Sequence, residues 1–135
     1  MIKLVDGERI DKTGFSDIKV IQNPKEFCYG IDAVLLSAFA SGETGASIDK
    51  NKISHIADLG TGNGIIPFIL SHKTDAKYIL GVEKQKSSYD RAIRALEENN
   101  LSVVEFINSD ILELHSNNIG KFDVVTSNPP YKKIG

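Results

Sequence analysis

The stretch Asp58-Leu59-Gly60-Thr61-Gly62-Asn63-Gly64 leaves the chain few ways to fold around it. It closes the apolar run Ile53 to Leu59 and opens a second, Ile65 to Ser71. Three glycines at alternate positions permit a tight turn and let backbone approach a ligand that side chains would keep away. An apolar run of strand length, then glycines, then an apolar run of helical length predicts a strand–turn–helix unit. Pro67 is compatible with that helix because it falls in the first turn.

The pattern continues toward the C-terminus. Tyr78 to Val82 reads as a strand ending at Glu83. Ser88 to Asn100 reads as an amphipathic helix with Tyr89, Ala92, Ile93 and Leu96 on one face. Val103 to Ile107 is a third strand, followed by Asn108-Ser109-Asp110. A weak helix or turn covers Ile111 to Asn118, and Phe122 to Thr126 is a fourth strand. Strands alternating with helices predict an α/β fold with a mostly parallel sheet and helices on both faces. In such sheets ligands bind beyond the carboxyl ends of the strands, where the strand order reverses. All four strands end in something polar or glycine-rich: Gly60 to Gly64, Glu83, Asp110 and Asn128.

The N-terminal part has another character. Glu8 to Ile10 and Ile18 to Ile21 are short strand candidates joined through Lys12-Thr13-Gly14, a small hairpin. Ile31, Val34, Leu35, Ala38 and Phe39 form one apolar face of a helix from about Gly30 to Ala40, expected to pack as core or lid. The polar stretch Ser41 to Lys52 reads as a loop. The expected organisation is therefore a hairpin and lid helix over residues 1–45 and a ligand-binding domain over 46–135.

Composition excludes several classes. The net charge of −2 announces no polyanion partner by itself, although a local basic patch would suffice for one. Cys28 is the single cysteine, so no internal disulfide forms and a reducing, cytoplasmic compartment is expected. No apolar run approaches the roughly 20 residues of a membrane span. The three histidines have no metal-site spacing, and no metal is expected. Lys84, Lys86, Arg91 and Arg94, with Glu97 and Glu98 nearby, read mostly as a solvated helix face. Lys132 and Lys133 are usual solvated lysines that also suit a phosphate.

The glycine spacing is Gly-x-Gly-x-Gly, not the Gly-x-Gly-x-x-Gly of dinucleotide enzymes. Asp58 beside the loop disfavours pyrophosphate and favours a ligand with an ammonium or sulfonium. S-adenosylmethionine carries both. A generic strand–helix turn is the plainer reading of the loop alone. Glu83, at the next strand end, is placed to accept hydrogen bonds from ribose hydroxyls. Asp110 suits either an adenine amine, with Ile111 on the ring face, or a plain helix N-cap.

The last strand runs into Asn128-Pro129-Pro130-Tyr131. Such a sequence is compatible with a mere turn. It also fits a clamp for a weakly nucleophilic, amide-like nitrogen. The Asn128 side-chain oxygen and the Pro129 carbonyl would each accept one N–H and localise the lone pair. The prolines remove competing donors, and Tyr131 offers a stacking face. Catalysis would then be positioning, with acceptors set for developing charge.

Asp58 to Gly64, a strand-end acid and the Asn-Pro-Pro-Tyr motif together resemble the amino-methyltransferases of the class I S-adenosylmethionine fold. The segment IQNPKEFCYGIDAVLLSAFA, Ile21 to Ala40, resembles what precedes the core in bacterial valine-tRNA adenine-N6 methyltransferases. The resemblance covers nearly the whole chain, and Phe27 to Leu36 is its more discriminating part. It implies a Rossmann-like fold, S-adenosylmethionine as cofactor, and the anticodon loop of valine tRNA as partner, methylated at the adenine 3′ of the anticodon. It implies that Asp58, Gly60 and Gly62 meet the methionine part, Glu83 the ribose, and Asp110 with Ile111 the adenine. Gly30 and Asp32 lie, with Tyr29, where the N-terminal segment closes over the pocket. Asn128, Pro129 and Tyr131 would hold the target base. The family's sheet has further strands, so the chain is expected to be an N-terminal fragment, truncated after about the fourth strand, with weak or absent turnover. A glutamine-N5 methyltransferase acting on protein, or a non-catalytic nucleotide-binding module, remains an alternative, and the oligomeric state stays open.

Overall fold

The computed structural model describes residues 2–26, 28–43, 49–115 and 119–128. An antiparallel hairpin comes first: β1, Arg9–Lys12, pairs with β2, Lys19–Gln22, with Arg9 opposite Gln22. Helix α1, Ile31–Ala40, follows. The alternating part consists of β3, His55–Leu59; α2, Ile65–Lys73; β4, Tyr78–Glu83; α3, Lys86–Asn99; β5, Val104–Asn108; and β6, Val124–Ser127. The four strands β3 to β6 form one sheet in the order β5-β4-β3-β6, every neighbouring pair parallel. The chain walks outward from β3 through β4 to β5, then jumps back to lay β6 on the other side of β3. Strand order therefore reverses between β3 and β6.

Expected strands and helices agree with these elements to within one or two residues at most ends. The fourth strand starts later than Phe122 because Asp123 does something else. Its Oδ2 accepts the Ser54 and His55 amides at 2.8 and 2.9 Å, and its own amide donates to the His55 carbonyl. That contact locks the start of β6 onto the start of β3.

The core lies between the sheet and α2. Ile65 to Leu70 are all buried, and Phe68, Ile69 and Leu70 have no exposed surface. Each such side chain contributes roughly 1.5–3 kcal/mol by leaving water. Phe106 of β5 meets Phe68 edge to face, with centroids 5.5 Å apart. The Phe106 ring lies directly over Gly64 and Gly81: a Cβ on either would stand 2.5 Å from it. Gly64 also has φ 89°, left-handed backbone that suits glycine. The last glycine of the loop is thus required by packing as well as by the turn.

Two helix faces differ from expectation. In α1 the buried residues are Ala33, Ser37 and Ala40, whereas Ile31, Leu35 and Phe39 are 75%, 62% and 48% exposed. The helix packs on α2 through its small residues, which allow close approach, and the Ser37 hydroxyl is satisfied by donating to the Ala33 carbonyl. Val34 and Leu36 are partly buried against the core. The larger apolar stripe turns outward.

In α3, Arg91 is not on a solvated face: it is 6% exposed. Its guanidinium pairs with Glu8 at 3.5 Å and with Glu26. Arg94 grips both oxygens of Glu8, at 2.6 and 2.7 Å. The Asn99 side chain bonds both the amide and the carbonyl of Lys19. The N-terminal part is thereby latched onto α3 by charge and hydrogen bonds.

Hydrogen bonds from Arg94 hold the Glu8 carboxyl down to about 2, against an ordinary 4.5. A depressed carboxyl stabilises the fold fully above its unfolded value and loses that contribution as pH falls through the folded one. We expect the latch to weaken between pH 4.5 and about 2. Glu8→Ala, which removes the carboxylate partner of Arg94 and leaves Arg91 only Glu26, should cost about 3 kcal/mol in urea unfolding at pH 7 and flatten the acid limb. Gly81→Ala drives a methyl into Phe106 and Thr61 and should cost about 1–3 kcal/mol in the same experiment.

Candidate functional site

The reversal between β3 and β6 opens a cavity of about 250 Å³ at the carboxyl ends of the strands. Asp58, Gly60, Thr61, Gly62 and Asn63 line it from the end of β3 and its loop. Glu83, Lys84 and Gln85 line it from the end of β4, and Asn128 from the end of β6. Ile65 and Ile66 of α2 and Ser88 and Arg91 of α3 complete that side. The opposite wall comes from the N-terminal part: Ile21, Gln22, Asn23, Glu26, Tyr29 and Ala33.

The loop is fixed by its own amides. Gly60 and Thr61 both donate to the Val82 carbonyl at 2.9 Å, and Gly64 donates to the Thr61 carbonyl. The Gly62 amide donates to Glu83 Oε1 at 2.8 Å. Glu83 Oε2 accepts the Gln85 amide, also at 2.8 Å. Glu83 therefore braces the loop and the entry to α3 at once. Each of its oxygens keeps a lone pair for a ligand hydroxyl. Loop amides already spent on Val82 and Glu83 are poor phosphate donors, so the loop is ill suited to a pyrophosphate, as its spacing and Asp58 lead one to expect.

Asp58 is 1% exposed. Thr61 Oγ1 donates to its Oδ2 and Thr126 Oγ1 to its Oδ1, both at 2.7 Å. Burial pushes its carboxyl up from 3.8 to about 6; the two hydroxyls pull the other way, and the charge of Glu83 adds to the rise. A cation entering the cavity would favour the charged carboxylate and so oppose the effect of burial.

Of the residues singled out from sequence, Asp58, Gly60, Gly62, Glu83 and Asn128 come together on one cavity. Pro129 and Tyr131 lie outside the described residues, as do Phe27, Lys132 and Lys133. Asp110 and Ile111 are not part of the cavity lining. Asp110 caps the short turn Ile111–Glu113, accepting the Leu112 amide at 3.0 Å, and pairs with Lys84 at 3.4 Å. Gly30 and Asp32 are exposed at the start of α1; the lining residues beside them are Tyr29 and Ala33. The wall formed by Gln22, Asn23, Glu26 and Arg91 was not picked out from sequence. Gln22 is buried and accepts the Tyr29 amide at 3.0 Å, which folds the segment after β2 over the cavity. Asn63 reaches across to the Ile21 carbonyl at 3.3 Å. Among the described residues no group of histidine, cysteine or carboxylate side chains could hold a metal. No helix of the described residues is long and apolar enough to cross a membrane.

Carbon-detected NMR of the ligand-free chain should find the Asp58 carboxyl titrating near pH 6. A midpoint near 3.8 would contradict its burial. The other charged groups around the cavity are Glu83, Glu26, Lys84 and Arg91, of which Arg91 is already paired.

Comparison with known proteins agrees with this geometry. A tRNA1(Val) (adenine(37)-N6)-methyltransferase of Glaesserella parasuis is 32% identical over 104 residues, which are 74% of this chain and 39% of that protein. The chain thus spans well under half the length of that relative. The human methyltransferase 10 domain containing protein superposes with a TM-score of 0.70 at 18% identity, over 90% of this chain and 57% of that one, a likeness of fold. The N-terminal domain of EvdMO1, solved with S-adenosylhomocysteine bound, superposes with a TM-score of 0.56 at 25% identity, over 69% of this chain and 36% of that one. The family model described as Methyltransferase small domain matches residues 39–134. With a parallel sheet that reverses at β3 and a glycine loop braced by Glu83, the chain belongs to the methyltransferase small domain family.

Proposed function

We propose that this chain is the S-adenosylmethionine-binding part of a tRNA adenine-N6 methyltransferase acting on the anticodon loop of valine tRNA. The observation that carries the reading is the convergence of Asp58, Glu83 and Asn128 on one cavity at the switch point. The lining fits the cofactor's chemistry. Buried carboxylates suit an ammonium and ribose hydroxyls, and Ile21, Ile65, Ile66 and Ala33 suit its apolar stem. The S-adenosylhomocysteine-bound neighbour and the tRNA-modifying relative support the same choice.

When bound, S-adenosylmethionine supplies an electrophilic methyl group. Asp58 would take the ammonium, and Gly60 and Gly62 bring backbone close to the methionine part. Glu83 would accept from the ribose while holding Gly62. Asp110 and Ile111 stand at the end of β5, next to β4, and would meet the adenine beyond the cavity described above. Gly30 and Asp32 begin the helix that flanks the pocket. The side-chain oxygen of Asn128 would accept an N–H of the target amine, with Pro129 and Tyr131 completing the clamp. An unpaired loop base is reached at modest unstacking cost, which suits an anticodon loop. A cytoplasmic location follows from a tRNA substrate.

In calorimetry the chain should bind S-adenosylhomocysteine and ignore NAD; the reverse preference would defeat the reading. In cells lacking the gene, valine tRNA should lose one N6-methyladenine. Re-expression of the wild-type gene should restore it, and Asn128→Ala should leave it at background. Unchanged valine tRNA, with an unmethylated glutamine in a protein instead, would move the assignment to the glutamine class.

A further inference from the structure

Both oxygens of Asp58 are taken by hydroxyls, and these come from different elements. Thr61 belongs to the glycine loop and Thr126 to β6. Thr126 stands opposite Asp58 in the β3–β6 register and is 4% exposed. A buried strand position of this shape would suit valine equally well, so packing alone does not call for threonine. The hydroxyl has one proton to donate, and the geometry directs it to Asp58 at 2.7 Å rather than to the Ala57 carbonyl at 3.5 Å. Two residues further on the chain presents Asn128 to the cavity. The hydrogen-bonded line Thr61–Asp58–Thr126 thus joins the glycine loop to the strand that leads into Asn128.

Resting on the cofactor-binding reading above, we propose that Thr126 is a positioning residue. Its hydrogen bond to Asp58 registers the strand carrying Asn128 against the glycine loop and presents an ionised Asp58 to the ligand's ammonium. Asp58 is also faced by Glu83 from β4, while Glu26, Lys84 and Arg91 line the same cavity; Glu26 and Arg91 are paired with each other. Thr126 is therefore a donor that favours the Asp58 charge, against burial and Glu83. Removing it shifts Asp58 toward the protonated form, which repels nothing but holds a cation poorly.

The test compares wild type, Thr126→Val and Thr126→Ser in two measurements: the Asp58 carboxyl titration without ligand, and S-adenosylhomocysteine affinity at pH 7. In Thr126→Val the titration midpoint moves upward and affinity falls about tenfold, as for loss of one hydrogen bond to a charged group. Thr126→Ser restores both. Melting temperatures separate this from unfolding, because valine preserves shape; should it not fold, Thr126→Ala, which also lacks a donor, replaces it with the same expected outcomes. Wild-type titration and affinity in the valine variant would overturn the proposal. If even the wild type does not bind S-adenosylhomocysteine, the cofactor reading fails on its own, while the ligand-free titration still decides whether Thr126 sets the charge of Asp58.

Discussion

A single buried carboxylate joins the parts that matter in this fold. Asp58 ends inside the sheet with its oxygens held by Thr61 and Thr126. The first hydroxyl fixes the loop after β3, and the second fixes β6, which arrives from the far side of the sheet. Burying a carboxylate without partners would be costly. The two hydroxyls offset part of that cost, and the end of β3 becomes a fixed corner from which loop and clamp are measured. Glu83 does the corresponding work one strand over, tying Gly62 to the start of α3. Between the two acids the glycine loop has little freedom left, and its amides are mostly consumed within the protein.

The second wall of the cavity is built by residues from another region of the chain. Gln22, Asn23, Glu26 and Tyr29 face the glycine loop, and they are held there by Glu8, Arg91, Arg94 and Asn99. The proposed pocket thus draws on both sides of the boundary expected near residue 45. A hairpin that small has little core of its own, so it docks by burying Ile18, Val20 and Ile21 in the shared core, with the ion pairs on α3 and the Asn63 bridge to Ile21 fixing its placement. This is why the described N-terminal segment contributes to the site and is more than a preceding appendage.

Much of this was legible because it is local. Periodic apolarity marks the helices, glycines mark the turn, and the strand ends bring Glu83 and Asn128 to the carboxyl side of a parallel sheet. What was not legible is long-range. Arg91 looks like one more charge on a polar helix until Glu8, 83 positions away, is folded against it. The stripe Ile31–Leu35–Phe39 has the right period for a buried face, but periodicity does not say which face the neighbour chooses. Here α2 meets the small residues Ala33 and Ser37 instead. Thr61 and Thr126 carry no signal in sequence, since threonine is an ordinary strand and turn residue; only their shared partner reveals them.

One cofactor filling the cavity between Asp58, Glu83 and Asn128 is the reading on which the rest stands. Amide and side-chain NMR spectra of the chain, recorded during titration with S-adenosylhomocysteine, test it most directly. Saturable shifts are expected to concentrate at Gly60, Gly62, Gln85, Tyr29 and the Asn128 side-chain amide. Shifts gathered elsewhere, with those positions unmoved at saturation, would contradict it.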